Sequence, residues 1–379
     1  MAGYLFSLNS VDSLYELIQK GYYSTFISES KKRVWGTHIE GTFADFSTMK
    51  EGDNVYFFIK RKVYGIGKLV NIGEDCKYFN YPGAGSPITY ANEETLVNFG
   101  DKNTNHRFIC FFEPSPYFFK NGVDMDELLL SAPNDFIILR SFWKLSFIKF
   151  SDKENQAFKD VLLRKNIDAL NNPHLGENVF NFDKTQIHEN LRLKELTQFK
   201  LKLHPFIEKI IEKGTLLKHE MVIEAGLLLM LTNQEQDAID VFGQWDYLSH
   251  QVIASPFKPI DYIDKIDVFG YRFISKEEKT IYKYLVVEIK KGKVIEADIL
   301  QLMKYVDWIH NEYALGDYNM IEAYIIGSDF SLDVKKSYKE LAQRKYIKEF
   351  RPAISKEWQD ITLVKYSISN EELKFERVL

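Results

Sequence analysis

The chain has only two cysteines, Cys76 and Cys110, among its 379 residues. They stand far apart, with no Cys-x-x-Cys pair and no Cys/His cluster, which argues against a structural zinc site. Positive charge is not in excess either: the formal net charge is −5 and the pI is about 6.0. Proteins that coat nucleic acid by bulk electrostatics usually run basic, so that class is disfavoured. A nuclease is not, because acidic metal ligands lower the total while basic residues gather on one face. Long hydrophobic runs are missing as well. The most apolar stretch, Met221–Leu231, is interrupted by Glu224 and is too short to span a bilayer. The opening Met-Ala-Gly-Tyr-Leu-Phe-Ser lacks the basic start and long apolar run of a signal peptide. The expectation is a cytoplasmic protein with no membrane partner.

Aromatic residues are abundant: 29 Phe, 22 Tyr and 5 Trp make 15% of the chain. They supply material for cores and flat surfaces on which nucleobases stack. The apolar and charged fractions, 45% and 27%, are those of ordinary globular protein. A chain of this length is expected to form two domains.

Residues 1–150 read mainly as strands with one early helix, Val11–Lys20, whose Leu14, Leu17 and Ile18 share a face. Asn54–Ile59 and Val63–Asn71 are expected to form a hairpin with Lys60, Arg61 and Lys62 at its tip. Arg107–Phe112 and Phe136–Leu139 read as further strands, and Tyr81–Pro87 as a loop. Asp152–Arg164 looks helical, and Asn171-Asn172-Pro173 with Gly176 suggests a boundary. Thr185–Leu231 is helical in pattern. Strands are expected at Tyr262–Ile274, Ile281–Ile289, Ile321–Ile326 and Ile361–Ile368, with helices at Glu296–Glu312 and Leu332–Lys345. The organisation expected is an N-terminal domain over 1–165, a helical linker over 166–205 and a C-terminal domain over 206–379.

Chemistry concentrates between residues 262 and 308. Asp267 lies in Lys-Ile-Asp-Val-Phe-Gly, inside an apolar strand, and Glu288 and Lys290 follow the apolar run Tyr284–Val287. Two apart on a strand, Glu288 and Lys290 point to one face. A polar turn at Ser275–Lys279 would set Asp267 and Glu288 side by side. Charges at the margin of a core cost free energy unless they bind something. Two carboxylates suit Mg²⁺ or Mn²⁺, and a neighbouring lysine can orient or deprotonate the attacking water and contact phosphate.

The set Ile-Asp267-Val, Val-Val-Glu288-Ile-Lys290-Lys and Gln301-Leu-Met-Lys-Tyr305 resembles the PD-(D/E)XK nuclease superfamily. The Gln-x-x-x-Tyr element resembles its RecB-like branch, near NucS-type endonucleases, and the same core also resembles Shedu-type defence nucleases. The resemblance covers about residues 206–330. It implies an α/β restriction-endonuclease-like core, with Asp267 and Glu288 as metal ligands, Lys290 as the catalytic lysine, and Gln301 and Tyr305 supporting the site or touching DNA. Members often carry a further glutamate on the helix before the sheet. Glu224 is preferred over Glu220 for its more apolar setting, and Asp267 over Asp261 and Asp264 for its apolar flanks.

Toward the N-terminus, Lys50-Glu-Gly-Asp53 precedes an apolar strand, and Tyr64-Gly-Ile-Gly67 permits close approach of backbone or ligand. With the strand order, these resemble the PUA-like small barrels, an α+β fold, in their EVE and YTH branches. That resemblance implies a flipped base held between rings. Candidate walls are Tyr22, Tyr23, Trp35, Phe43 and Trp143, with Asp45 or Ser24 reading the base edge. The Lys60–Lys62 tip would meet phosphate. The expected protein is a DNA endonuclease of bacterial defence that selects modified or foreign DNA. Its expected state is a homo-oligomer, dimer or tetramer, since paired sites cut two strands. The alternatives are a Shedu-type nuclease whose first domain senses DNA ends or clamps DNA, and a non-catalytic nucleic-acid-binding protein on a degenerate nuclease fold.

Overall fold

A computed structural model describes residues 1–27, 37–82, 95–99, 107–136, 146–174, 176–182, 186–203, 211–212, 216–217, 219–256, 263–275, 279–369 and 372–378. Two compact α+β units divide the chain, Met1–Lys209 and Ile210–Leu379.

The first unit is built on strands β1 (Gly3–Ser7), β2 (Tyr22–Phe26), β3 (Asn54–Ile59), β4 (Lys62–Leu69), β5 (Lys77–Phe79), β6 (Arg107–Asp124) and β7 (Phe147–Phe150). Their order is β2-β6-β4-β3-β1-β7, with β5 also on β6. The expected hairpin is present. Lys60 and Arg61 both have positive φ, the torsions of a tight two-residue turn whose twist matches the strands, and Arg61 pairs with Asp126. β6 runs much further than the expected Arg107–Phe112. The expected strand at 136–139 and loop at 81–87 lie largely outside the described residues.

Among the described residues of 1–150, three helices rather than one accompany the sheet: α1 (Val11–Lys20), α2 (Thr37–Ser47) and α3 (Met125–Ser131). α2 runs through Gly41 and Thr42, weak helix formers, because Ile39, Phe43 and Phe46 share a buried face. α1 ends at Gly21, whose φ of +66° closes the helix while its N–H meets the carbonyls of Leu17 and Ile18.

Helix α4 (Asp152–Lys165) opens on a reciprocal cap between Ser151 and Glu154. α5 (Ile167–Asn171) and α6 (Gln186–Arg192) follow. The stretch 166–205, expected as a linker, supplies core instead. Ala169 and Val179 join one buried cluster, and Leu191, Leu196 and Phe199 another. Continuous helix across 185–231 does not form either: a short hairpin, β8 (Ile211–Glu212) with β9 (Leu216–Leu217), interrupts it.

In the second unit α7 (Met221–Thr232) and α8 (Gln236–Phe242) precede a six-stranded sheet. Its order is β10 (Tyr247–Ile253), β11 (Lys265–Phe273), β12 (Ile281–Ile289), β14 (Ile321–Gly327), β18 (Ile361–Ser369), β19 (Glu372–Val378). β10, β11 and β12 are antiparallel, whereas β12, β14 and β18 are parallel. Parallel neighbours need long crossovers. Helices α9 (Glu296–Glu312) and α10 (Leu332–Ala342) provide them. α9 buries Ile299, Leu302, Met303, Val306 and Ile309, spaced as one helical face. Two short strands, β13 (Lys293–Val294) and β15 (Asp329–Phe330), pair beside the sheet. A second hairpin, β16 (Arg344–Phe350) with β17 (Ala353–Trp358), occupies the end of the expected Leu332–Lys345 helix. α7 is buried on nearly every side. Among the described residues no helix is long and apolar enough to cross a membrane.

Candidate active site

The last pair in register between β11 and β12 is Val268 with Val287. Beyond it stand Asp267 and Glu288, opposite each other, where the backbone ladder stops. The Asp267 side chain takes over there: its Oδ2 accepts the N–H of Ile289 at 2.7 Å. This bond fixes the carboxylate at the strand end. Glu288 on β12 and Lys290, just past the end of the strand, meet on one side, as their spacing predicts. Lys290 Nζ lies 2.7 Å from Glu288 Oε1, and the Lys290 N–H donates to the Ile326 carbonyl on β14.

A glutamate from α7 completes the group. Glu224 faces β10, where Gln251 Nε2 donates to both of its oxygens at 3.1 Å and to Asp267 Oδ1 at 3.2 Å. His250 Nδ1 lies 3.3 Å from Glu224 Oε2. Four residues earlier on the chain, Glu220 plays another part: its Oε1 accepts the N–H of Lys291 at 3.1 Å. On α9, Gln301 Oε1 accepts from Lys290 Nζ at 3.2 Å, and Gln301 Nε2 donates to the Tyr305 hydroxyl at 2.9 Å. Lys290 is thereby held between Glu288 and Gln301, with Tyr305 behind.

Burial dominates the electrostatics. Glu224 is 2% and Glu288 1% exposed. Burial raises Glu288 to about 7, against the opposing pull of Lys290. Asp267 is pushed well above the usual carboxylate range by burial, and then by the charges of Glu224 and Glu288. Burial alone would lower Lys290, but the Glu288 carboxylate beside it holds its pKa above the ordinary lysine value. Tyr305 is raised by burial, with the charge of Glu288 adding to it. One Glu288 oxygen, Oε2, is buried with no hydrogen-bond donor among the described residues. A carboxylate oxygen in that condition loses its hydration and gains nothing in return. Among the described residues, no three His, Cys, Asp or Glu side chains converge as they stand closely enough to hold a metal ion.

The structure thus brings Glu224, Asp267, Glu288, Lys290, Gln301 and Tyr305 into one network. Asp264 stands just before β11, its N–H on Ser255 Oγ at 3.3 Å, and Asp261 lies outside the described residues. Gln251 and His250 carry no signal in the sequence, since their reach to Glu224 depends on the path of β10.

Of the first unit's aromatic candidates, Tyr22, Tyr23 and Phe43 are packed into its core. Tyr23 stacks on Phe6 at 4.4 Å between ring centres, Phe43 on Phe79 at 6.1 Å, and Tyr22 meets Phe99 and Phe111 edge-on. Phe43 is 0% exposed, Tyr22, Tyr23 and Asp45 are also buried, and Arg107 Nη1 lies 3.5 Å from Ser24 Oγ. The space that Gly65 and Gly67 leave is taken by this chain's own side chains: a Cβ on Gly67 would come within 2.7 Å of both Phe118 and Val55. Trp35 and Trp143 lie outside the described residues.

No family model matches the chain, and no curated protein matches it. Among solved structures, part of the chain is similar to a repair endonuclease from Pyrococcus abyssi, at 20% identity and a TM-score of 0.20, over 31% of this chain and 42% of that one. The chain therefore spans less than half the length of that relative. It is also similar to a hypothetical protein from Leishmania major, at 15% identity and a TM-score of 0.27, over 45% of this chain and 97% of that one. A protein from Pseudomonas putida matches at 17% identity and a TM-score of 0.26, over 42% of this chain and 97% of its own.

Proposed function

We propose that the protein is a metal-dependent DNA endonuclease whose cutting site is the Glu224, Asp267, Glu288 and Lys290 group. The observation that carries this reading is the gathering of Glu224, Asp267 and Glu288 at one strand end, with the Lys290 ammonium held by Glu288. Structural ion pairs are normally neutralised one for one. Here three carboxylates, from α7, β11 and β12, lie together while the lysine contacts Glu288 among them, and Glu288 Oε2 has no donor among the described residues. An oxygen-only donor set of this kind suits a hard divalent cation, Mg²⁺ or Mn²⁺. Asp267, Glu288 and Glu224 would hold it. A cation so bound activates water and neutralises charge growing on the phosphate.

The remaining work falls to this chain's own side chains. Lys290, kept charged by Glu288, offers a fixed positive group to a phosphate oxygen. Gln301 fixes the direction of the Lys290 side chain, and Tyr305 fixes Gln301. The buried setting strengthens each of these electrostatic contacts relative to water.

The first unit is proposed as the part that selects DNA, by modification or foreign origin, as a PUA-like reader would, in a defence role. Its strand pattern supports this reading. The test is cleavage of matched duplexes, with and without methylated or hydroxymethylated bases, in Mg²⁺ or Mn²⁺, by wild type and Lys290→Ala. Cutting by wild type alone is the expected result. No cutting of any duplex by wild type in either metal would overturn the proposal.

A further inference from the structure

Gln251 is placed in an unusual way. It sits within β10, yet its φ is +53°, the left-handed region that non-glycine residues avoid. His250 pairs with Val268 and Val252 with Ile266, so Gln251 stands across from Asp267 in a position the ladder skips. The strand gives up a regular pairing and adopts a costly torsion there. In return it sets one amide between two carboxylates.

The amide's surroundings are those of a ligand position. Its Nε2 is 3.1 Å from both Glu224 oxygens and 3.2 Å from Asp267 Oδ1. In an octahedral Mg²⁺ shell with oxygens about 2.0–2.1 Å from the ion, neighbouring oxygens lie roughly 2.8–3.0 Å apart. The contacts of Nε2 are therefore close to the edges of such a shell. The nitrogen and oxygen of a glutamine amide are nearly equal in size, and a half-turn about the last side-chain bond exchanges them. Glu288 Oε2, buried and without a donor among the described residues, is an independent sign that this group offers an oxygen to a ligand.

We propose that Gln251 is a metal ligand of this site whose amide turns over on loading. Without metal, Nε2 bridges Glu224 and Asp267 and keeps the two carboxylates together. With metal, Oε1 takes that place and faces the cation as a neutral oxygen ligand. The left-handed torsion at Gln251 is then the cost of aiming this side chain. The inference rests on the metal-dependent reading of the site.

The test is Mn²⁺ binding by full-length protein, measured by titration calorimetry and by the metal-induced rise in melting temperature. Gln251→Ala removes the oxygen and should weaken Mn²⁺ binding by about tenfold or more, whereas Gln251→Glu keeps an oxygen there and should bind at least as tightly as wild type. In metal-free buffer, Gln251→Glu should melt below wild type, because a fourth carboxylate replaces the bridging donor. Equal or tighter binding by Gln251→Ala would overturn the ligand role and leave the nuclease reading standing. Should Gln251→Ala not fold, weaker binding by a folded Gln251→Glu would overturn it equally. Wild-type protein that takes up no Mn²⁺ at millimolar concentration would remove the metal reading, and this inference with it.

Discussion

Lys290 Nζ sits 2.7 Å from Glu288 Oε1, and the partner that makes this contact is almost wholly buried while the lysine is partly open. The pair is asymmetric, and so are the expected consequences of breaking it. Removing the lysine strands a buried carboxylate; removing the carboxylate frees a lysine that can reach water.

Lys290→Ala is expected to lower DNA cleavage by at least the ~10²–10⁴-fold typical of a lost proton-transfer or positioning group. DNA binding should persist, because a single phosphate contact is a small part of a nucleic-acid interface. A gel-shift assay alongside plasmid cleavage separates the two. A well-folded Lys290→Ala protein with full activity would remove the lysine from the site.

Glu288→Gln tests the cost of the site in the absence of metal. Glu288 is raised from 4.5 to about 7, so the folded chain holds this proton more tightly than the unfolded chain does. Stability from this group is therefore present below the unfolded value and is lost as pH rises through about 7. A tenfold difference in proton affinity is about 1.4 kcal/mol. Metal-free Glu288→Gln should accordingly melt higher than wild type at pH near 8, by an amount on the order of 2 kcal/mol, and match it near pH 5. A lower melting point at pH 8 would mean that the ion pair outweighs burial.

The core of this site is legible in the sequence because its markers are local. Glu288 and Lys290 end an apolar strand, and Gln301 and Tyr305 repeat at helical spacing, so β12 and α9 are read with the bounds they have. Glu224 stands out as a charge inside an apolar run. The rest depends on the tertiary path. Gln251 looks like any polar strand residue until its left-handed torsion aims it at Asp267. α2 is hidden by Gly41 and Thr42, whose low helix propensity is overridden by the burial of Phe43 and Phe46. The β16–β17 hairpin has no apolar alternation, since Ile347 and Phe350 are exposed, so its sequence continues the helical pattern of α10. Rings such as Tyr23 and Phe43 cannot be sorted into pocket or core by type alone in a chain this aromatic.

Phe199→Ala addresses the segment 166–205. Phe199 is fully buried with Leu191 and Leu196 against Tyr22, Tyr78 and Phe111. Because Phe199 is core, the substitution should cost ~3–5 kcal/mol, as for other buried Phe→Ala changes. Calorimetry of the full chain should show the loss in the first unit's transition. An unchanged thermogram would return the segment to the status of linker.

The last prediction concerns Lys149 in β7, a lysine 4% exposed whose ammonium faces the Tyr4 ring at 5.5 Å. Burial lowers Lys149 to about 7, against the attraction of Asp53. Asp53 is itself raised by burial, although it accepts the N–H groups of Ala2 and Lys50. Both shifts have one cause: the interior penalises either charge more than the partner rewards it. The folded chain therefore binds fewer protons at Lys149 than the unfolded chain between about 7 and 10.5. Unfolding takes up a proton in that window, so stability from this group increases as pH rises through it. Lys149→Met keeps the stem's length and removes the titration. The wild-type first unit should gain melting temperature from pH 7 to 9 relative to the variant, by several degrees if the difference is on the order of 1–2 kcal/mol. The measurement is paired thermal melts at closely spaced pH, monitored by near-ultraviolet dichroism. Parallel curves for the two proteins would show that Lys149 stays charged in its buried site and that the attraction of Asp53 has the upper hand.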